Sequence, residues 1–364
     1  MQFSAIIADI EKVSGIQTTS RATLKRGVQS WLYRYAASYP WPHYRDRGVI
    51  QTIAPYSTGT VAITNGDKTL TITTGVFTAA MVGRKVQIAD DQAWYTIASY
   101  TSASEVELAE AYQGTTQTVA TFSIFQDEYR LDGDTQRLLD VVQTEHQVQL
   151  LVYDYLSFDE LFSAVETTGN PEMLTLLGRK QDSYATGTIT GSSGGSTLTG
   201  SSTAWTGVEG LTKGSRIQVS SNSEVYTVKS VDSDTSITIY ELISTAFSAS
   251  AYQAVLDNLR VQVRPVPDAA RNLYYRKQRR PTPLVNDRDE PDMPMEFHGM
   301  LVDAGLEVAW TLLGHLDRAG AMSQRLASWI SQQADQIGVT MPYAVRHKRS
   351  SDNTSMLPPL PRFF

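Results

Sequence analysis

A chain of 364 residues with 41% apolar and 19% charged residues is long enough for two or three cored domains and too apolar to stay unfolded. It contains no cysteine, which excludes disulfides, thiolate metal sites and cysteine nucleophiles together. A net charge of −7 argues against a dedicated nucleic-acid binder, and no apolar run reaches the roughly 20 residues of a membrane helix, so no membrane contact is expected.

The chain opens on FSAIIADIEKV, where Phe3, Ile6, Ile7 and Ile10 recur at helical spacing. Acids follow this short apolar run, so no signal peptide is expected. A second helix is predicted over 20–38, with Ser20 as N-cap and Leu24, Val28, Trp31, Leu32 and Tyr35 in one stripe. YPWP at 39–42 stops it. These residues form a first helical part, 1–57. A β module follows over 58–126, and within it GTVAITNGDKTLTI (59–72) reads as a hairpin bent near Asn65-Gly66.

Next, DTQRLLDVVQTEHQVQLLVYDYLSFDELFSAVETTGNP predicts one or two helices inside a second helical part, 127–185. The later helix opens near Ser157 in a capping-box pattern and ends at Gly169 and Pro171. A second β module spans 186–256. Over 257–341, NLRVQVRPVPDAARNLYYRKQRRP alternates as strands in an Arg- and Tyr-rich arm. Two helices follow, one with Pro294 near its start and one ending at Gly338. Residues 342–364 form a Pro-rich, extended tail.

The two β modules share one grammar. Gly59 aligns with Gly187, Leu70 with Leu198 and Phe77 with Trp205; past a small insertion, Gly83 aligns with Gly214, Tyr95 with Tyr226, Ile97 with Val228 and Val106 with Ile237. Short strands separated by Gly, Asn, Asp and Ser suit a small sandwich or barrel. The fold class is therefore α+β multidomain: a discontinuous helical-bundle core with two homologous small all-β insertions, a β arm and an extended C-terminal tail. Insertions survive at exposed loop tips, so both modules should project outward.

Motifs for chemistry are scarce. None of His43, His146, His298, His315 and His347 has metal-ligand spacing, and His298 is expected as a surface or semi-buried helix residue. GSSGGS at 191–196 lacks the Gly-Lys-Ser/Thr of a phosphate loop. NDRDEPD at 286–292 lacks the Gly and distal Glu of a calcium loop and reads as a solvated loop. No catalytic residue, cofactor or metal is expected, and the chain is not expected to be an enzyme. The last residues, Leu357, Pro358, Pro359, Leu360, Phe363 and Phe364 among them, are too apolar for a free solvated end; a Pro-stiffened segment of this kind suits a groove on a neighbour or on its own body.

The stretch VQVRPVPDAARNLYYRKQRRPTPLVNDRDEPDMPMEFHGMLVDAGLEVAW resembles the C-terminal half of neck adaptor proteins of tailed bacteriophages. It carries Pro265 and Pro267, then Tyr274-Tyr275-Arg276, Pro291, and Pro294 followed by Phe297-His298. MVGRKVQIADDQAWYTIASYTSASEVELAEAYQGTT resembles the β insertion of such adaptors, and FQDEYRLDGD (125–134) the return to their helical core. The resemblance implies a structural virion protein at the head–tail junction, made in the host bacterial cytoplasm. It implies a ring, dodecameric in this family, that extends the DNA channel under the portal and docks the tail. The expected partners are the portal protein, tail or nozzle proteins, fibres, and other copies of the chain. DNA would pass without sequence-specific binding. Contacts with the portal or a neighbour are expected at Arg271, Tyr274, Tyr275 and Arg276 on the arm and at Leu357, Pro358, Pro359, Leu360, Phe363 and Phe364 in the tail.

The alternative is a carbohydrate-binding or depolymerising tail protein that stacks sugars on Trp94 and Trp205. Those tryptophans do not occupy equivalent positions: Trp94 aligns with Val225, and Trp205 with Phe77. Core packing is therefore expected for at least one of them.

Overall fold

The computed structural model describes residues 1–16, 20–89, 91, 93–143, 148–161, 168–208, 210–222, 224–284 and 287–336. The chain is mixed α/β and mostly β. Helices α1 (Phe3–Ser14) and α2 (Arg21–Ser38) lead into strand β1 (Arg45–Gln51). Strands β2 (Thr60–Ile63), β3 (Thr69–Thr73), β4 (Lys85–Ile88), β5 (Trp94–Ser102), β6 (Glu105–Leu108), β7 (Gln117–Ala120) and β8 (Phe122–Phe125) make the first module. The chain continues through β9 (Glu128–Arg130), β10 (Thr135–Gln143), β11 (Val148–Gln149), β12 (Leu151–Tyr153), α3 (Tyr155–Leu161), β13 (Thr168–Gly169) and β14 (Met173–Tyr184). The second module contains β15 (Thr188–Gly191), β16 (Thr197–Ser201), β17 (Arg216–Val219), β18 (Val225–Ser233), β19 (Ser236–Ile239), β20 (Phe247–Ser250) and the start of β21 (Tyr252–Arg264). β22 (Val266–Pro267), β23 (Asn272–Arg279), α4 (His298–Leu312) and α5 (Leu316–Gln336) complete the described fold.

Helices α1, α2, α4 and α5 bury their apolar stripes in one core, with Phe3, Ile6, Ile7, Ile10, Leu24, Val28, Leu32 and Leu301 nearly inaccessible. α4 packs against all three others. Its approach is close: a Cβ on Gly305 would lie 2.0 Å from Ile10 Cδ1, and one on Gly27 of α2 would lie 2.6 Å from Val308. Ser20 precedes α2 but makes no capping bond through its side chain. The first donors of α1 are met from afar: Phe3 and Ser4 donate to the carbonyls of Asp289 and Asp287 at 2.8 and 3.0 Å. The acidic run thus closes a helix end, and Asp287 also pairs with Lys25 at 2.6 Å.

Of the one or two helices expected in DTQRLLDVVQTEHQVQLLVYDYLSFDELFSAVETTGNP, the earlier part is β10, β11 and β12, and the later helix is the short α3. The apolar pairs Leu138-Leu139 and Val141-Val142 flank Asp140 at a spacing that fits a helix face as well as a strand, so periodicity alone did not separate the two. Its β-branched Val141 and Val142 favour the strand once β23 supplies a partner, Tyr275 opposite Val141 and Tyr274 opposite Val142. The start of α3 is held by Asp154, whose Oδ1 accepts the Ser157 N–H at 3.0 Å; Ser157 is not its cap. Gly169 lies in β13, paired with β22. Gly338 and the tail lie outside the described residues.

The two modules have one topology. The first runs in the order β7-β2-β3-β6-β5-β4-β8 and the second in the order β20-β15-β16-β19-β18-β17-β21. Register agrees as well: Leu70 faces Val106 where Leu198 faces Ile237, and Val86 faces Tyr95 where Ile217 faces Tyr226. The irregularities in β5–β6 between Ile97 and Ser99 recur in β18–β19 between Val228 and Ser230. Gly59 and Gly187 both have positive φ, and an added Cβ would strike the carbonyl oxygen of Thr73 or Ser201, at 2.6 and 2.4 Å. Each module has its own core, and Phe77 and Trp205 are buried in them.

The modules are rooted in a β body. β14 and β21 pair antiparallel along their length, and β21 runs out of the second module into the body, where it also pairs with β9. A second sheet has the order β1-β23-β10-β11. Ile50, Leu138, Val141 and Leu273 of that sheet share a core with Tyr129, Leu174, Val261 and Val263 of the other. The expected β arm is part of a sheet: β23 is flanked on both sides, by β1 and β10.

Candidate interaction site

Alternation along β23 sorts the expected contact residues. Leu273, Tyr275 and Lys277 point into the body, while Tyr274 and Arg276 point outward. Tyr274 is 41% exposed and faces Val49 of β1, itself 51% exposed. Arg47 faces Arg276. Two like charges directly opposite would repel, but Asp140 of β10 accepts two hydrogen bonds from the Arg276 guanidinium, that from Nε at 2.8 Å. The hydrogen bond and charge of Asp140 hold that guanidinium above its ordinary range. The outcome is an outward patch with an apolar centre, Tyr274 and Val49, flanked by Arg47 and Arg276. Arg271, at the strand's start, pairs with Asp268 at 2.8 Å.

Tyr275 is not on that face. It is 1% exposed, its ring crosses Gly48, and its hydroxyl accepts the Asp132 N–H at 3.0 Å. Leu357, Pro358, Pro359, Leu360, Phe363 and Phe364 lie outside the described residues. β1 was not legible in the sequence, which assigns 1–57 to a helical part: RDRGVIQ has only the adjacent Val49 and Ile50 as apolar residues and so lacks the alternation that marks a strand.

Beneath the patch lies a buried ion cluster. Lys277 is fully buried and donates to Asp132 at 2.7 Å and to Asp134. Burial pushes the Asp134 carboxyl up, and Lys277 opposes that shift. Lys213 of the second module reaches Asp46 of β1 at 2.7 Å, tying module to body. Burial tends to raise the Asp46 carboxyl, but hydrogen bonds from Lys213 and the Arg47 N–H leave it below its usual range. Gln278 donates to the carbonyls of Ala36 and Tyr39 at 2.5 and 2.6 Å, so the same strand also closes the end of α2.

A cavity of about 600 Å³ lies beside this cluster, lined by Tyr33, Asp134, Arg216, Tyr240, Glu241 and Arg279 among others. Glu241 is 2% exposed and accepts the Thr227 N–H at 2.7 Å; burial raises its carboxyl. Arg279 is already held by Asp292 of the acidic run.

Trp205 is 1% exposed and donates to the Tyr252 hydroxyl at 2.8 Å, which removes it from any sugar-stacking surface. Trp94 is exposed, with the Lys85 ammonium 5.6 Å from its ring centroid. His298 is buried at the start of α4, deeper than expected, and its Nε2–H donates to the Met293 carbonyl at 3.0 Å. Among the described residues no group of three or more His, Asp or Glu could hold a metal ion, and no helix is long and apolar enough to cross a membrane.

No protein-family model matches the chain, and no curated protein matches it. Among solved structures it is similar to the translation elongation factor SelB of Methanococcus maripaludis in complex with the GTP analogue GppNHp. That similarity has a TM-score of 0.16 and 10% identity, covering 58% of this chain and 64% of that one. A likeness of this size carries no argument about fold or function.

Proposed function

We propose that the chain is a non-enzymatic structural subunit of a tailed-bacteriophage neck: a head-to-tail adaptor that forms a dodecameric ring beneath the portal. The observation that carries this reading is the outward patch of Tyr274, Val49, Arg47 and Arg276, because Tyr and Arg around an apolar centre are the residue types that dominate protein–protein contacts. The sequence resemblance falls on the same strand. In this reading the four-helix cluster and the β body together form the discontinuous adaptor core, and the two homologous β modules face outward toward tail, nozzle or fibre proteins. Ring contacts are heterologous, one face of the body meeting a different face of the next copy. A charge of −7 per chain, repeated around a ring, lets DNA slide through the channel without gripping it. The tail from 342 to 364 reaches the portal or a neighbouring copy.

The test is the native mass of the full chain, alone and mixed with the portal protein encoded by the same genome. A dodecamer on the portal is the expected result. A monomer in both samples overturns the reading, and glycan-array binding by that monomer would point to a carbohydrate-binding tail protein with Trp94 at its surface. Removing residues 342–364 is expected to abolish portal binding, and unchanged binding would exclude the tail from the contact.

A further inference from the structure

The cavity of about 600 Å³ between the second module and the body contains polar groups that the fold leaves unmatched. Glu241 lines it and is 2% exposed. Its Oε2 accepts the Thr227 N–H at 2.7 Å, but among the described residues nothing donates to its Oε1. The Oε1 of Gln136, which lines the cavity from the body, is buried and equally lacks a donor among those residues. Arg216 lines the same cavity from β17, with an exposed side chain, and faces Thr227 in register. It thus flanks the residue that holds Glu241, yet it has no carboxylate partner among the described residues. The other charged groups of the lining are satisfied: Asp134 by Lys277 and Lys213, Arg279 by Asp292, and Arg280 by Asp257.

The first module lacks this arrangement. Lys85 faces Thr96 as Arg216 faces Thr227, but Lys85 is paired with Asp127 at 3.0 Å and Glu128 at 3.1 Å. Glu110, two residues past Leu108 as Glu241 is two past Ile239, is exposed. Only the second module buries the acid and leaves the cation over. A buried carboxylate oxygen without a donor costs free energy until a partner arrives. Burial raises the Glu241 carboxyl and Asp289 adds to the rise, so a cationic donor at Oε1 relieves both. Two acceptors within the cavity and a guanidinium at its exposed side call for N–H donors at one end of a ligand and an acid at the other. Tyr33, Tyr240 and Pro281 supply apolar wall, and the volume falls within the range of about 300–1,000 Å³ typical of small-ligand sites.

We propose that this cavity binds a small amphoteric molecule of amino-acid chemistry, whose cationic N–H donors reach Glu241 and Gln136 and whose carboxylate reaches Arg216. Such a ligand touches the second module through Glu241 and Arg216 and the body through Gln136, so its binding stabilises the seam between them. The assignment does not depend on the adaptor reading.

Titration calorimetry of the full chain with L-arginine and, separately, L-lysine tests it, with sodium chloride at matched ionic strength as control. At least one of the two is expected to bind saturably at one per chain. Its decarboxylated form, agmatine or cadaverine, should bind about fivefold more weakly. Glu241→Gln keeps an oxygen for the Thr227 N–H but removes the charge, and is expected to weaken binding about tenfold, the scale of one lost charge-assisted hydrogen bond. Arg216→Gln is expected to weaken the amino acid about fivefold without weakening its decarboxylated form. Arg216 is exposed, so its variant should fold even if Glu241→Gln does not. Absence of saturable binding by both amino acids overturns the inference, as does wild-type affinity in either variant. A decarboxylated form that binds as tightly as its parent removes the carboxylate contact and also overturns it.

Discussion

Tyr56 and Tyr184 stand at the stems of the two modules in the same geometry. The Tyr56 hydroxyl accepts the backbone N–H of Val76 at 2.9 Å, and the Tyr184 hydroxyl accepts that of Ala204 at 3.2 Å. Tyr56 bridges Ile124 at the exit of its module, and Tyr184 pairs with Ala254 at the exit of the other. Each ring ties the entering chain to the turn after the first hairpin. Tyr56→Phe and Tyr184→Phe are each expected to lower the unfolding free energy by about 1 kcal/mol, the usual net worth of one hydrogen bond. Their effects should add, since the two sites share no partner. Urea titrations of the two single variants and the double variant check this; no loss in either single variant would show that the hydroxyls are dispensable.

The buried Lys277 makes a sharper prediction. Replacing it with Met leaves Asp132 and Asp134 without their shared cation. A loss of about 3–5 kcal/mol is expected, the cost of breaking a buried ion pair on one side. A loss below about 1 kcal/mol would mean that Lys213 takes over the role of Lys277.

Helix packing depends on Gly305. With Ile10 already 2.0 Å from where a Cβ would sit, Gly305→Ala forces α1 and α4 apart. The expected destabilisation is about 1–3 kcal/mol, against a small gain in helix propensity. Thermal unfolding would reveal it. A stabilised variant would mean that the helices part without strain.

His43 sets a pH dependence. It lies among the rings of Tyr35, Trp41, Tyr44 and Phe297, and burial lowers its pKa to about 4. The unfolded chain binds this proton more readily than the folded one. His43 therefore contributes stability that is present above its ordinary pKa of about 6.5 and is lost as pH falls through 4. The wild-type unfolding temperature should fall over that window, and His43→Phe should flatten part of the fall. Parallel curves for the two proteins would remove His43 as the cause.

The outward patch can be separated from stability. Tyr274→Ser with Val49→Ser changes two exposed side chains and should alter unfolding by less than about 1 kcal/mol. In the adaptor reading the same pair of changes weakens assembly on the portal at least tenfold by native mass. Full assembly would move the contact elsewhere on the body.

The elements that were legible in the chain are those whose signals are local. The stripe Phe3-Ile6-Ile7-Ile10, the stop at YPWP and the apolar face of α4 all lie within a few turns of chain. The module repeat was legible because turn glycines and alternating strands recur in order. Its beginning was missed, although Tyr-x-Thr-Gly-Thr stands at both 56–60 and 184–188.

What the sequence by itself determined was therefore the helices at both ends of the described fold and the twofold β grammar between them, because hydrogen bonds to near neighbours and turn chemistry decide those locally. Tertiary structure alone decided that 135–143 is a strand, since the paired apolar residues on either side of Asp140 satisfy either period until β23 offers a partner. It also decided that Tyr275 faces inward and Tyr274 outward, through the pairing of β1 with β23 from distant parts of the chain.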